Sequence, residues 1–121
     1  MQRVFQRATF VLLVLVLGQS LTGCKSKFIE ATLENRTSAP LRLITVEYPH
    51  ASFGTQQLVA QRTFHYRFKL LGSGPIKLTW TDAANKEHVQ TGPEMLEGQE
   101  GELHIVFSAI DHAVFETKVR P

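Results

Sequence analysis

The sequence predicts an all-β domain, a small two-sheet antiparallel β-sandwich that follows a cleaved N-terminal signal helix. Three observations carry this expectation. From Phe28 onward apolar residues recur with period two, in seven or eight short runs. The runs are evenly spaced and separated by Gly, Pro, Asn and Asp, so that every glycine beyond the leader is assigned to a turn or loop. No stretch after the leader shows the 3.6-residue period of an amphipathic helix.

The leader precedes this pattern. Arg3 and Arg7 form a positive start, Ala8 to Leu17 an apolar run of about ten residues, and Gly18-Gln19-Ser20 a polar break before Leu21-Thr22-Gly23-Cys24. A helix that stays in the membrane needs roughly 20 apolar residues, and Arg7 and Gly18 interrupt this run at its two ends. Leu21-Thr22-Gly23-Cys24 resembles the lipobox of bacterial lipoproteins, a likeness confined to the first 24 residues. The resemblance implies diacylglyceryl transfer to the Cys24 thiol, cleavage after Gly23 and acylation of the new amino terminus. It also implies an exported protein of the cell envelope. Because Lys25 is not the aspartate associated with inner-membrane retention, the implied site is the outer membrane in a diderm bacterium, and otherwise the outer face of the cytoplasmic membrane.

Cleavage changes the charge balance. Without residues 1–23, 98 of the 121 residues remain, and the loss of Arg3 and Arg7 leaves eleven basic residues against eleven acidic ones. A neutral exported domain has no electrostatic reason to bind nucleic acid. Cys24 is the single cysteine, so neither a disulfide nor a thiolate metal site is expected in the domain. One core must hold residues 28–121, a size that suits one domain and a monomer. Residues 24–27 are the tether, and the three residues after Cys24 reach only about 10 Å when extended. The folded part is therefore expected against the bilayer.

Along the domain, Ile29, Ala31 and Leu33 alternate with Glu30, Thr32 and Glu34, the pattern of a half-buried strand. Asn35 to Ser38 reads as a turn, and its Asn-x-Thr spacing is treated as an accidental sequon in a bacterial chain. Leu41 to Tyr48 changes phase between Leu43 and Ile44, which predicts a bulge near Leu43 or a strand buried on both faces. Tyr48 to Gly54 is expected as an inter-strand connection, and Gln56 to Ala60 as a short strand or a single helical turn. Phe64, Tyr66, Phe68 and Leu70 predict an inward stripe opposite His65, Arg67 and Lys69. Ile76, Leu78 and Trp80 repeat the alternation after the Leu71 to Pro75 turn. Asp82 to Lys86 is the next turn, His88 to Thr91 a weaker strand with Val89 as its strong apolar member, and Gly92 to Gly101 a loop. Leu103, Ile105 and Phe107 form another stripe, and after a turn at Ala109 to His112 the strand Ala113 to Val119 ends the domain. An immunoglobulin-like arrangement of two sheets is favoured over a small barrel, an analogy of architecture that assigns no function.

No catalytic pattern emerges, and no enzyme is expected. His50, His65, His88, His104 and His112 lack the tight spacing of metal ligands and read as solvated surface residues, so no metal and no cofactor are expected. Gly72-Ser73-Gly74 lies between strands, whereas a nucleophile elbow needs a strand-to-helix turn. Glu94, Glu97, Glu100 and Glu102 lack the ligand ladder of a calcium loop. Two binding features remain. His65, Arg67 and Lys69 with Lys77 on the following strand form a candidate basic patch for an anionic glycan or lipid head group. Phe53 is read either as a plug of the open sandwich end or as an outward anchor for a partner. Trp80 is assigned to the core, where it would pin the two sheets together. The function expected is a lipid-anchored binding or adaptor module with an envelope protein or glycan as partner; the alternatives are a purely structural envelope lipoprotein and, behind it, a metal- or anionic-glycan-binding domain.

Replacing Cys24 by Ser removes the thiol on which acylation and processing depend. Metabolic labelling with a fatty-acid analogue is expected to mark the parent and not the Cys24→Ser precursor, which should stay uncleaved.

Overall fold

A computed structural model describes residues 27–121. The expected signal helix, the residues Leu21, Thr22 and Gly23 of the expected lipobox, and the expected lipidation site Cys24 lie outside the described residues. Eight strands form: β1 (Ile29–Asn35), β2 (Leu41–Tyr48), β3 (Ala51–Leu58), β4 (Thr63–Phe68), β5 (Gly74–Thr81), β6 (Glu87–Met95), β7 (Glu100–Ala109) and β8 (His112–Arg120). They make two four-stranded sheets, ordered β4-β1-β7-β8 and β3-β2-β5-β6, packed face to face as the predicted sandwich. All neighbours are antiparallel except β1 and β7, whose parallel pairing makes the first sheet mixed. The β2–β3, β5–β6 and β7–β8 connections are hairpins, and every other connection crosses between the sheets.

The alternation in sequence sets the core. Ile29, Ala31 and Leu33 of β1 and Leu103, Ile105 and Phe107 of β7 face Leu41, Ile44 and Val46 of β2 and Ile76, Leu78 and Trp80 of β5, all of them buried. Each large side chain removed from water contributes about 1.5–3 kcal/mol before the entropy of ordering is subtracted. These four strands are the middle strands of the two sheets, which is why their stripes are so regular. Trp80 is 1% exposed and meets Phe107 of the opposite sheet edge-on, with ring centroids 5.2 Å apart. Its Nε1–H donates to the Ile110 carbonyl in the β7–β8 turn at 2.8 Å. One residue thereby ties the second sheet to the first by both packing and a hydrogen bond.

The phase change in β2 is a bulge. Its register against β5 shifts between Arg42 and Thr45, and Leu43 adopts a φ of 50° with its side chain in solvent. A leucine in the left-handed region is strained. The strain has a use: it turns Ile44 inward after Leu41 without breaking the strand.

Several connections differ from expectation. Tyr48 to Gly54 is not a loop, since β2 and β3 are joined by the two residues Pro49 and His50, the latter at a φ of 72°, and β3 occupies Ala51–Leu58 rather than 56–60. Gly92 and Pro93 belong to β6, so the expected ten-residue loop shrinks to Leu96–Gln99. Glycines 54, 74, 92 and 101 all lie in strands. At Gly92 the reason is close packing, because a Cβ would sit 2.6 Å from the Phe115 ring of β8. Pro93 is tolerated because β6 is an edge strand and its register against β5 slips there. Val89 points outward at 59% exposure, while His88 and Gln90 take the inner face.

The two open edges of the sandwich are closed differently. Between β3 and β4, Phe53 stacks on Tyr66 with centroids 4.5 Å apart and packs beside Phe68 at 5.5 Å, which in turn meets Tyr48 at 4.2 Å. Between β6 and β8, Gln90 donates through Nε2 to the Ala113 carbonyl at 2.6 Å and accepts from the Ala113 N–H at 3.0 Å.

Trp80→Ala removes the largest buried side chain and leaves the Ile110 carbonyl without its donor. Chemical denaturation of the intact chain, followed by far-ultraviolet circular dichroism, is expected to show a loss of about 3–5 kcal/mol. A loss below about 1 kcal/mol would mean that Trp80 does not pin the sheets.

Candidate functional site

The residues singled out in the sequence do not form one site. His65 and Arg67 lie on β4 and Lys69 just beyond it, on the outer face of the first sheet, but Lys77 lies on β5 in the second sheet. The expected four-residue basic patch is therefore split between opposite faces of the sandwich. Lys77 also has Glu47 of β2 at 3.8 Å, and Arg67 has Glu30 of β1 at 3.1 Å. Period-two alternation tells inside from outside and is silent on which sheet a strand joins. Phe53 is 6% exposed and faces the interior, where it seals the β3–β4 edge. The side chain is thus a plug at an edge rather than an outward anchor.

What the first sheet brings together instead is a shallow groove of about 300 Å³, lined by Phe28, Glu30, Arg67, Glu102, Arg120 and their neighbours Glu100 and Gly101. The strand register builds it: Glu30 stands opposite Arg67 on one side and Glu102 on the other, and Glu100 stands opposite Arg120. Phe28 enters the sheet as its carbonyl accepts from the Gly101 N–H at 3.1 Å. The Arg67 guanidinium carbon lies 3.8 Å from the centre of the Phe28 ring and the Lys69 Nζ 4.9 Å from it. Such cation–π contacts contribute about 0.5–1 kcal/mol when exposed and more when a ligand excludes water. Arg120 Nε donates to Glu100 Oε1 at 3.0 Å. The groove is thus aromatic at one end and carries three carboxylates against two guanidiniums, with both guanidiniums already paired.

Phe28 is the residue sequence reasoning missed, because it adjoins the tether and precedes the first regular strand. Glu100 and Glu102 stood out in sequence only as part of an acidic cluster without a calcium ladder, and Arg120 carried no local signal. A second, smaller notch of about 230 Å³ lies on the outer face of the other sheet, lined by Leu43, Thr45, Gly54 and Gln56 beside the β2 bulge. It offers hydroxyl and amide groups and no charge.

The nearest approach to a catalytic arrangement is inside the fold. His88 is not a solvated surface residue: its ring stacks on Trp80 at 5.2 Å, and its Nε2–H donates to Asp82 Oδ2 at 2.8 Å. The other Asp82 oxygen accepts from the N–H groups of Ala84 and Lys86 at 2.9 and 3.0 Å. The His88 hydrogen bond first, and the Lys86 N–H second, hold the Asp82 carboxyl below the usual aspartate range. All of these bonds fasten the β5–β6 turn, and no nucleophile is part of the arrangement. Among the described residues no group of three or more His, Cys, Asp or Glu side chains is placed to hold a metal ion.

No protein-family model matches the chain, and no curated protein matches it either. Among solved structures, the chain is similar to one described as the NMR structure of the protein from Eubacterium rectale. The two share 12% sequence identity at a TM-score of 0.55, over 78% of this chain and 93% of that one. At that identity the likeness concerns the fold alone.

Because the Asp82 pKa is lowered in the folded state, its contribution to stability is fully present above the ordinary aspartate value and is lost as pH falls through the lowered one. Asp82→Asn is therefore expected to be less stable than the parent at neutral pH and to lose less stability between about pH 5 and pH 2. Denaturant titrations at a series of pH values check this, and parallel acid limbs for the two proteins would show that Asp82 is not the group responsible.

Proposed function

We propose that this chain is a lipid-anchored protein of the cell envelope, exported and held at the membrane surface through Cys24, that works as a small binding module. The observation that carries the binding half is the groove around Phe28, which lies on the first sheet within a few residues of the tether. Its aromatic end and its carboxylates and guanidiniums suit a polar partner that bears charges of both signs, such as a peptide segment of an envelope protein. The split of His65, Arg67 and Lys69 from Lys77, with Arg67 and Lys77 each beside a glutamate, weakens the case for an anionic glycan. The anchoring half rests on the lipobox resemblance of residues 21–24, and an exported location follows from it.

One observation favours a purely structural envelope lipoprotein. The groove arginines already have glutamate partners at 3.0–3.1 Å, which leaves neither guanidinium free for a ligand without breaking a pair.

The two readings separate in membranes from cells carrying the intact chain. Crosslinked partner is expected to fall at least about tenfold with Phe28→Ala or Arg67→Glu if the groove is a binding hot spot, since such residues contribute about 2 kcal/mol or more. Lys77→Glu, on the opposite face, should leave capture unchanged. Equal capture by all three variants and the parent would reject the groove and favour the structural role.

A further inference from the structure

We infer that the end of the sandwich formed by the Leu70–Gly74 and Leu96–Gln99 segments seats directly on the bilayer, with Leu71 and Leu96 entering the interface between head groups and acyl chains. The inference rests on the lipid-anchor reading and extends it from a point of attachment to a docked surface. Leu71 is 69% exposed, the highest value among the large apolar side chains of the described residues, and Leu96 is 55% exposed. Isolated exposed leucines are ordinary, but these two are coupled. The Gly98 N–H donates to the Leu70 carbonyl at 3.2 Å, and the Glu97 N–H donates to Ser73 Oγ at 2.8 Å. The Leu96 N–H donates to Gln99 Oε1 at 2.9 Å, which stiffens the second segment from within. Both leucines therefore ride on one hydrogen-bonded platform.

The occupant of this platform follows from where the chain leaves the fold. Leu96–Gln99 runs straight into β7, whose Gly101 N–H donates to the Phe28 carbonyl at 3.1 Å, and Lys69 at the start of the other segment places its Nζ 4.9 Å from the Phe28 ring. Only residues 25–27 separate Phe28 from Cys24, a span of about 10 Å at full extension. A tether that short brings this end of the sandwich, and no other, to the lipid surface. Lys27 and Lys69 are exposed there and suit lipid phosphates, whereas Glu97 beside Leu96 opposes them. Apolar insertion of the leucines, rather than net charge, is then what holds the domain down.

The test uses the intact chain in vesicles of phosphatidylethanolamine and phosphatidylglycerol with brominated acyl chains, which quench tryptophan at known depth. Trp80 is buried and supplies a constant background. Leu71→Trp and Leu96→Trp are expected to lose about half of the added emission, at a depth of about 5–10 Å below the surface. Ile110→Trp, exposed at the far end of the sandwich, should lose none. Mass spectrometry of the same samples reports the Cys24 adduct independently. Quenching at both leucine positions, with an acylated Cys24, supports the inference. An acylated Cys24 with no quenching overturns the docked surface and leaves the anchor standing. Quenching without acylation keeps the surface and removes the anchor, and the absence of both removes both. Equal quenching at 71, 96 and 110 overturns the inference as well, because tryptophan's own affinity for lipid would then explain the signal.

Discussion

The fold depends on one buried amide. Asn35 is fully buried at the end of β1, where the chain leaves the first sheet, so the polar atoms of its side chain need partners inside the protein. Its Nδ2 donates to the carbonyls of Ala39 and Leu58 at 2.9 Å each, and its Oδ1 accepts from the Thr37 N–H at 2.9 Å and the Thr37 hydroxyl at 2.6 Å. Its own backbone pairs with Arg62 and Gln61. The β1–β2 and β3–β4 crossovers, both of which change sheets, are thereby fastened to one side chain. Aspartate has no donor for the two carbonyls and leucine has no polar group, so only an amide serves. Each buried group left unpaired would cost about 1–3 kcal/mol, a large share of the stability of a domain this size. The same burial removes the Asn35 amide from any role as a glycan acceptor.

The position of the proposed groove follows from how the remaining polarity is distributed. The inner histidine and aspartate are consumed by the β5–β6 turn, and the inner glutamine by the β6–β8 edge. Convergent chemistry is left on the outer face of the first sheet, beside the tether. There Glu30, Arg67 and Glu102 come from three different strands, and the parallel β1–β7 pairing is what sets Glu30 next to Glu102. If Cys24 carries the proposed lipid, only three residues join it to Phe28, and so short a link leaves the domain little freedom to turn. On the proposed anchor, its groove and its exposed leucines would both lie close to the plane of the membrane.

Much of the fold is legible in the residues. The middle strands alternate cleanly because they are covered on one face and paired on both sides, and the phase slip at Leu43 announces the bulge that the structure contains. Trp80 was legible for the same reason. The edge strands were harder: β3 carries Ser52, Gly54, Thr55, Gln56 and Gln57, which lack a stripe because the strand has little core to cover. Gly92 and Pro93 look like a loop, although the glycine serves the Phe115 ring and the proline a free edge. The groove could not be read at all, since its rows join strands far apart in sequence. One missed contact was within reach. Once Asp82 to Lys86 is taken as a hairpin turn, Trp80 must stand opposite His88.

The Gln90 amide has a consequence for whether a second copy of the chain can pair with the first. At Ala113 the outermost strand of the first sheet turns its N–H and carbonyl away from its neighbour, and a second copy could add a strand there. Gln90 already occupies both groups, and so acts as a false rung that ends the ladder. Molecules confined to a surface meet far more often, and in fewer orientations, than molecules in solution. On the proposed anchor, a sandwich with an open seam would be drawn into ribbons along the bilayer, and a single side chain on the facing strand blocks strand addition at Ala113.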